Sequence, residues 1–372
     1  MTATFPANPL PYRPDFEHAA LDEQETIHAL QVVFANMAKK VADAEGHAHR
    51  AVHAKGHALV RGQLTVLDDL PPALAQGLFA QAGSYDVLLR WSSPPAEQLP
   101  DTVSTPRAVA MKVLDVPGER LDSARSGHSQ DFLMVNGPAF NAPDPQAFLK
   151  NVKLLAATTN KSETGKKVIS TVLRGAEAAL EAVGGQSGSL KAMGGEPQHH
   201  PLGETYFSQV PYLYGQYMAK FSLAPVAPDL LALDGAAIAG EDDAQRAAIQ
   251  SHFAGQGGEW ELRVQLNVDV ENMPIEDASV EWPQDLSPYI AVARLKLDPQ
   301  TSWDAGSERL EDETAFDQWN CLAAHRPLGA VNRARREVMG SRAISVPSST
   351  AARSTSRMHN ASGPRSSASP AR

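Results

Sequence analysis

The chain has 372 residues, 42% of them hydrophobic and 20% charged, with a formal net charge of −10 at pH 7. That is enough apolar material for a large globular core, and the acidic balance argues against a nucleic-acid or anionic-membrane binder, since both need a basic face. Its one cysteine, Cys321, excludes an internal disulfide and a Cys-x-x-Cys metal site, and reads as a small buried hydrophobe rather than a nucleophile.

The Pro-rich start, Met1 to Phe16, has no apolar segment of signal-peptide type, and no run approaches the ~18 apolar residues of a membrane span, so the cytoplasm is the expected compartment. Ile27, Leu30, Phe34, Met37 and Val41 repeat at spacings of three and four and predict a helix from Asp22 to Glu45, with Asp22 and Glu25 as a capping pair. Short apolar stretches bounded by turn residues predict strands at Gly62–Leu67, Asp86–Trp91, Ala108–Leu114 and Asp131–Val135. Asn151 to Val183 predicts a helix with an exposed polar portion at Lys161–Lys167, and Gly184 to His200 a Gly-rich loop. Strand character returns at Tyr217–Ala224. It is clearest at Glu259–Val270, where Leu262, Val264, Leu266, Val268 and Val270 alternate with Glu261, Arg263, Gln265, Asn267 and Asp269. Period two means one buried and one wet face, the habit of antiparallel sheet, and Tyr289–Leu297 is the expected partner. Helix resumes from Asp312 to Val338. From Gly340 to Arg372 the chain is rich in Ser, Ala and Arg, lacks acidic residues and is expected to be disordered. There is no internal repeat, and the pattern by itself implies α+β or a barrel with helical additions.

Histidines cluster: His47, His49, His53 and His57 all fall between Gly46 and Ala58. They read as a solvated cluster with one or two packed members, or as a zinc site of a hydrolase, since His at i and i+4 meet on one helix face. The surrounding motifs point elsewhere. Arg50-Ala-Val-His-Ala-Lys-Gly56, followed by Gly62, resembles the distal-side signature of haem catalases. Leu89-Arg-Trp-Ser92 resembles that family's Val-Arg-Phe-Ser strand, and Asp101-Thr-Val-Ser-Thr-Pro-Arg-Ala-Val-Ala-Met-Lys112 its Asp-Thr-Val-Arg-Asp-Pro-Arg-Gly-Phe-Ala-Met-Lys. Val280-Glu-Trp-Pro, Ser287-Pro-Tyr-Ile and Val292-Ala-Arg-Leu are similar to late segments of the family. The matches keep the family's order over residues 15 to 338. The chain looks closest to a compact catalase-like (catalase-related peroxidase) branch, marked by Met273-Pro-Ile-Glu-Asp-Ala-Ser279 and His325-Arg-Pro-Leu-Gly329.

The resemblance implies an α+β catalase-like fold: an antiparallel eight-stranded barrel with N- and C-terminal helices around a buried haem (heme b) pocket. It places a haem domain at 21–339, after an arm at 1–20 and before the tail. It implies a peroxide substrate and an oxidoreductase that disproportionates hydrogen peroxide, oxidises a reductant with a peroxide, or rearranges hydroperoxides as allene oxide synthases do. The expected assembly is a monomer or homo-oligomer, with no nucleic acid or membrane partner. His53 takes the place of the distal base, for which an imidazole with a near-neutral pKa is suited, and Ser92 that of the serine which orients it. Arg50 and Arg90 match the arginines that meet the haem propionates, Val52 lies within the same haem-lining motif, and Phe140 falls where a phenylalanine packs on the haem. His128 stands where the family has a polar distal asparagine. Arg335 matches the arginine of the proximal Arg-x-x-x-Tyr, so the iron ligand position falls on Met339. A neutral thioether replaces an anionic phenolate there. Either the chain is a variant with Met ligation, an open proximal site or no haem, or the coding frame is lost near Met339, where the resemblance ends and the Ser/Arg-rich segment begins. A non-catalytic haem- or small-molecule-binding barrel is the competing expectation.

Overall fold

Period-two patterning is realised as antiparallel sheet in a computed structural model that describes residues 8–45, 50, 52–94, 96, 98–103, 105–121, 127–158, 197–238, 240 and 242–340. A meander of β1 (Lys55–Val66), β2 (Gly83–Ser93), β3 (Ala108–Val113) and β4 (Gln130–Val135) comes first. It is followed by β5 (Tyr206–Phe207), β6 (Tyr212–Tyr214), β7 (Tyr217–Pro225), β8 (Gly258–Leu266) and β9 (Ile290–Leu297). The strand order is β5-β4-β3-β2-β1-β9-β8-β7-β6, and a second pairing of β5 with β7, Tyr206 opposite Leu223, closes eight strands into a barrel with β6 appended to β7. Closure leaves the eight strands without a free edge, which an open antiparallel sheet would expose to aggregation.

The barrel interior holds Val60, Leu64, Leu89, Trp91, Val109, Met111, Phe221, Leu262 and Val264 in one apolar cluster. The alternation of β8 has this cause: Trp260, Leu262, Val264 and Leu266 are sealed inside. The expected continuation of that strand to Val270 does not form. Asn267 turns inward, donates to Met273 O at 2.7 Å and accepts from Asp269 N at 3.1 Å, which folds the chain out of the ladder. Val268 and Val270 pack instead on a satellite cluster with Met218, Met273 and Trp282.

Helices lie outside the barrel: α1 (Glu23–Glu45), α2 (Pro145–Thr158), α3 (Pro228–Leu231), α4 (Ala244–Phe253), α5 (Ala305–Glu313) and α6 (Ala330–Met339). The apolar stripe of α1 buries Ile27, Leu30, Phe34 and Met37 against Leu149 and Val152 of α2 and Ala334 and Val338 of α6. The Asp22 carboxylate accepts from Gln146 Nε2 of α2 at 2.8 Å. The helix expected from Asn151 begins earlier, at Pro145, and residues 159–196, with most of the expected Gly-rich loop, lie outside the described residues, as do His47, His49 and the tail 341–372. The helix expected over Asp312–Val338 forms only at its ends: α5 stops at Glu313 and α6 begins at Ala330. Gly329, at φ 84° with no room for a Cβ beside Ile275 O, is the N-cap that sets the start of α6. The intervening segment is pinned by Trp319 Nε1 donating to Asn332 O at 3.0 Å and Asp317 N to Asp131 at 3.0 Å. Arg333 then fastens α6, donating to Glu23 at 2.7 Å and Glu276 at 2.8 Å, while Glu276 also accepts from Ala330 N at the helix start. No described helix is long and apolar enough to cross a membrane.

One outward-facing residue of β7 carries a cost. Lys220 is sealed under the 280s segment, where its ammonium donates to Val280 O at 3.1 Å and lies 5.0 Å from the Trp282 ring centre. Burial pushes its pKa down to about 7, against the weaker opposing pull of Glu281 and Asp277. The unfolded chain therefore holds a proton between pH 7 and the ordinary lysine value that the folded chain does not. The penalty is full below pH 7 and is relieved as pH rises through that window. Lys220→Met should stabilise the fold at pH 7 by about 1–3 kcal/mol, the desolvation gain less the bond to Val280. Urea unfolding at pH 7 and pH 10 checks it, the difference between the two proteins narrowing at the higher pH.

Candidate functional site

The first strand of the barrel is entered through a strained residue. His53 has φ 52°, in the left-handed region that non-glycine residues rarely adopt. Its carbonyl accepts from Arg90 Nη2 at 2.7 Å, which holds the turn against β2. Its imidazole is deep enough that desolvation, helped by the positive fields of Arg90 and Arg335, lowers its pKa to about 3. The ring is therefore neutral at physiological pH, and its buried Nδ1 has no hydrogen-bond partner.

Arg335, on α6, is close enough for its charge to act on this ring. Its guanidinium lies 5.2 Å from the Phe140 ring centre, and burial lowers its pKa while the nearby Tyr212 phenol opposes the shift. The Tyr212 hydroxyl is itself buried and unpartnered. Phe140 is fixed from both sides, with its backbone N–H on Ala278 O at 2.9 Å and its ring 5.0 Å from Phe148 of α2. Val52 packs at the edge of the cluster shared by α1, α2 and α6. Val52, His53, Phe140, Arg335 and Met339 are each half-buried. They lie where the entry to β1, the segment after β4 and α6 come together, and the candidate crevice is this junction.

Arg50 and Arg90 flank the crevice at α5. Arg90 pairs through Nε with the Glu311 carboxylate, and Arg50 donates to the carbonyls of Glu311 and, at 2.6 Å, Thr314. Burial and the adjacent Arg90 lower the Arg50 pKa to about 10, so it keeps its charge at neutral pH.

Two expectations fail. Ser92 is buried on the same face of β2 as Arg90, yet among the described residues no hydrogen bond joins it to His53. The His–Ser pair that forms is His57 Nε2 with Ser93 Oγ at 2.9 Å, because successive strand residues face opposite sides. His128 is exposed in the turn before β4, where its carbonyl accepts from Val116 N at 2.6 Å. Met339 ends α6, half-buried, one turn after Arg335 and so on the same helix face. No signal in the pattern pointed to Glu311 or Tyr212. Among the described residues no group of three or more His, Cys, Asp or Glu side chains is arranged to hold a metal ion. A separate surface cleft of about 550 Å³, lined by His200, Leu233, Ser251 and His252, shares no residue with the crevice.

The donor set suits a flat group with carboxylates on one edge: two forked guanidiniums at one end, an aromatic wall, and a neutral imidazole with a free nitrogen. A porphyrin would fit that description: Arg50 and Arg90 would hold its carboxylates, and Met339 would offer a neutral thioether.

No protein-family model matches the sequence, and no curated protein matches it. Solved structures do. A fungal catalase aligns at TM-score 0.55 and 17% identity over 90% of this chain and 64% of its own length. A bacterial catalase aligns at 0.54 and 16% over 98% of this chain and 70% of its own. Catalase A from Saccharomyces cerevisiae aligns at 0.54 and 16% over 90% and 66%. The chain thus spans about two thirds of the length of these catalases. The closed barrel, the strand order and these alignments agree: this chain has the catalase-like fold.

Proposed function

We propose that this protein is a haem-dependent oxidoreductase that consumes peroxides, with haem b carried in the crevice between the barrel and α6. The observation that supports it most is the His53 imidazole, which is neutral, desolvated and unpartnered at Nδ1, in the positive field of Arg90 and Arg335. A haem, when bound, supplies the electrons that cleave the peroxide bond. The chain's own part is to bind and to move a proton. Arg50 and Arg90 present forked donors to carboxylates, and Phe140 offers a flat face held by Arg335 and Phe148. His53 can take a proton from one peroxide oxygen and return it to the other, since its lone pair is free at every pH above about 3.

Titration of the purified chain with haemin is the direct test. A Soret band that saturates at one equivalent, with consumption of hydrogen peroxide, cumene hydroperoxide or a lipid hydroperoxide, is the expected result, and the relative rates identify the substrate. No Soret change at stoichiometric haemin would remove the reading. Met339 favours a second one, a haem-binding barrel without turnover, for which the band forms but peroxide persists and His53→Ala changes nothing.

A further inference from the structure

The two arginines that face the crevice are already engaged with part of this chain. Helix α5 ends in Glu311, Asp312 and Glu313, with no basic residue in its last turn. Acidic groups at a helix C-terminus oppose the macrodipole and destabilise an isolated helix. Here the unfavourable charge meets a partner. The Glu311 carboxylate is paired with Arg90 Nε, and both side chains are nearly sealed, at 4% and 11% exposure. The carboxylate rests against Gly56, where an added Cβ would come 2.5 Å from Glu311 Oε1, so the glycine makes room for it. Arg50 completes the arrangement by donating to two carbonyls at the end of α5. The contacts span 221 residues between Arg90 and Glu311 and 261 between Arg50 and Glu311, and the capping box of Asp304 and Ser307 secures the other end of the helix.

We infer that Arg90, with Arg50 beside it on the carbonyls of Glu311 and Thr314, is a carboxylate receptor which α5 fills from within the chain through Glu311, so that a ligand bearing carboxylates, such as a porphyrin, binds by displacing Glu311. This rests on the reading of the crevice as a porphyrin site, while the receptor itself is tested by any small carboxylate. Helix α5 is then a strap: it spares the arginines from being buried without an anion while the crevice is empty, and its release is part of ligand uptake. A competent state populated in one molecule of ten weakens apparent affinity about tenfold.

Two measurements on the full chain decide it. In the absence of haemin, E311A should melt lower than the parent, and sodium acetate, compared with sodium chloride at equal ionic strength, should raise the melting temperature of E311A by several degrees while leaving the parent unmoved. In haemin titrations followed by Soret absorbance, E311Q, which keeps the shape and removes the charge, should bind about tenfold tighter and faster than the parent. Acetate without effect on E311A, or haemin binding that is unchanged or weaker in E311Q, overturns the inference. If acetate restores E311A but neither parent nor E311Q takes up haemin, the receptor stands and the haem reading falls.

Discussion

Met339→Tyr is expected to raise haemin affinity by roughly 100-fold, the difference an anionic ligand beside a guanidinium makes. Residue 339 lies one helical turn beyond Arg335, on the same face of α6, and is half-buried. A phenol there would ionise more readily, because the Arg335 charge favours the phenolate. At about 5 Å and an effective dielectric near 20 that attraction is worth about 3 kcal/mol, which is about two decades in affinity. The thioether offers no charge to Arg335 or to ferric iron. The check is the haemin dissociation constant of both proteins, from Soret titration or transfer to apomyoglobin, together with the ligand-to-metal charge-transfer band that a phenolate adds. Equal constants with no such band would mean that residue 339 does not face the iron. Met339→Leu serves as control and should bind haemin no better than the parent. The helix tolerates the exchange to tyrosine because α6 is held at its other end by Arg333 on Glu23 and Glu276, outside the crevice.

His53→Ala should slow peroxide consumption by about 10²- to 10⁴-fold, the usual worth of a positioned general base, while haemin affinity changes little. His53 touches the arginine network through its backbone carbonyl, which alanine keeps. Alanine at φ 52° is strained, so His53→Asn, which adopts the left-handed region more readily, is the companion variant. Stopped-flow rates with hydrogen peroxide, against Soret titrations of the same samples, separate the two effects. A variant that turns over at the parent's rate would remove His53 from the chemistry. The pH profile adds a second check. With a pKa of about 3 the ring is neutral from pH 4 upward, so the parent's rate should show no acid limb between pH 5 and pH 8. For stability, an unfolded histidine takes up a proton near pH 6.5 that the folded one refuses until about 3. His53 therefore contributes fully above pH 6.5, and its contribution is lost as pH falls from there toward 3. By pH 5 the loss is on the order of 2 kcal/mol. Buried His57 and His325 titrate in the same direction. Both His53 variants should lose less stability than the parent on acidification from pH 7 to pH 5.

Much of the barrel was legible in the sequence because the pattern and the burial share one cause. The alternation of Leu262, Val264 and Leu266 with charged neighbours is the interior and exterior of β8, and the apolar repeat from Ile27 to Met37 is the face α1 presents to α2 and α6. His53, Arg90, Phe140 and Arg335 were named through the resemblance to haem catalases; in the fold Arg90 donates to the His53 carbonyl and Arg335 lies over the Phe140 ring. Tertiary structure alone decided the rest. The strand that closes the barrel, β5, has two residues, and β6, appended to β7, has three, too few for a period to show. Strand parity tells that Ser92 and Ser93 face opposite ways but not which of them meets a histidine, and it is Ser93 with His57. Arg90 meets Glu311 and Arg333 meets Glu23 across more than two hundred positions, and a carboxylate such as Glu311 looks like any exposed helical acid until the helix is packed. Local sequence encodes which side of an element is apolar, whereas the pairing of buried charges depends on three-dimensional proximity, which no spacing along the chain records.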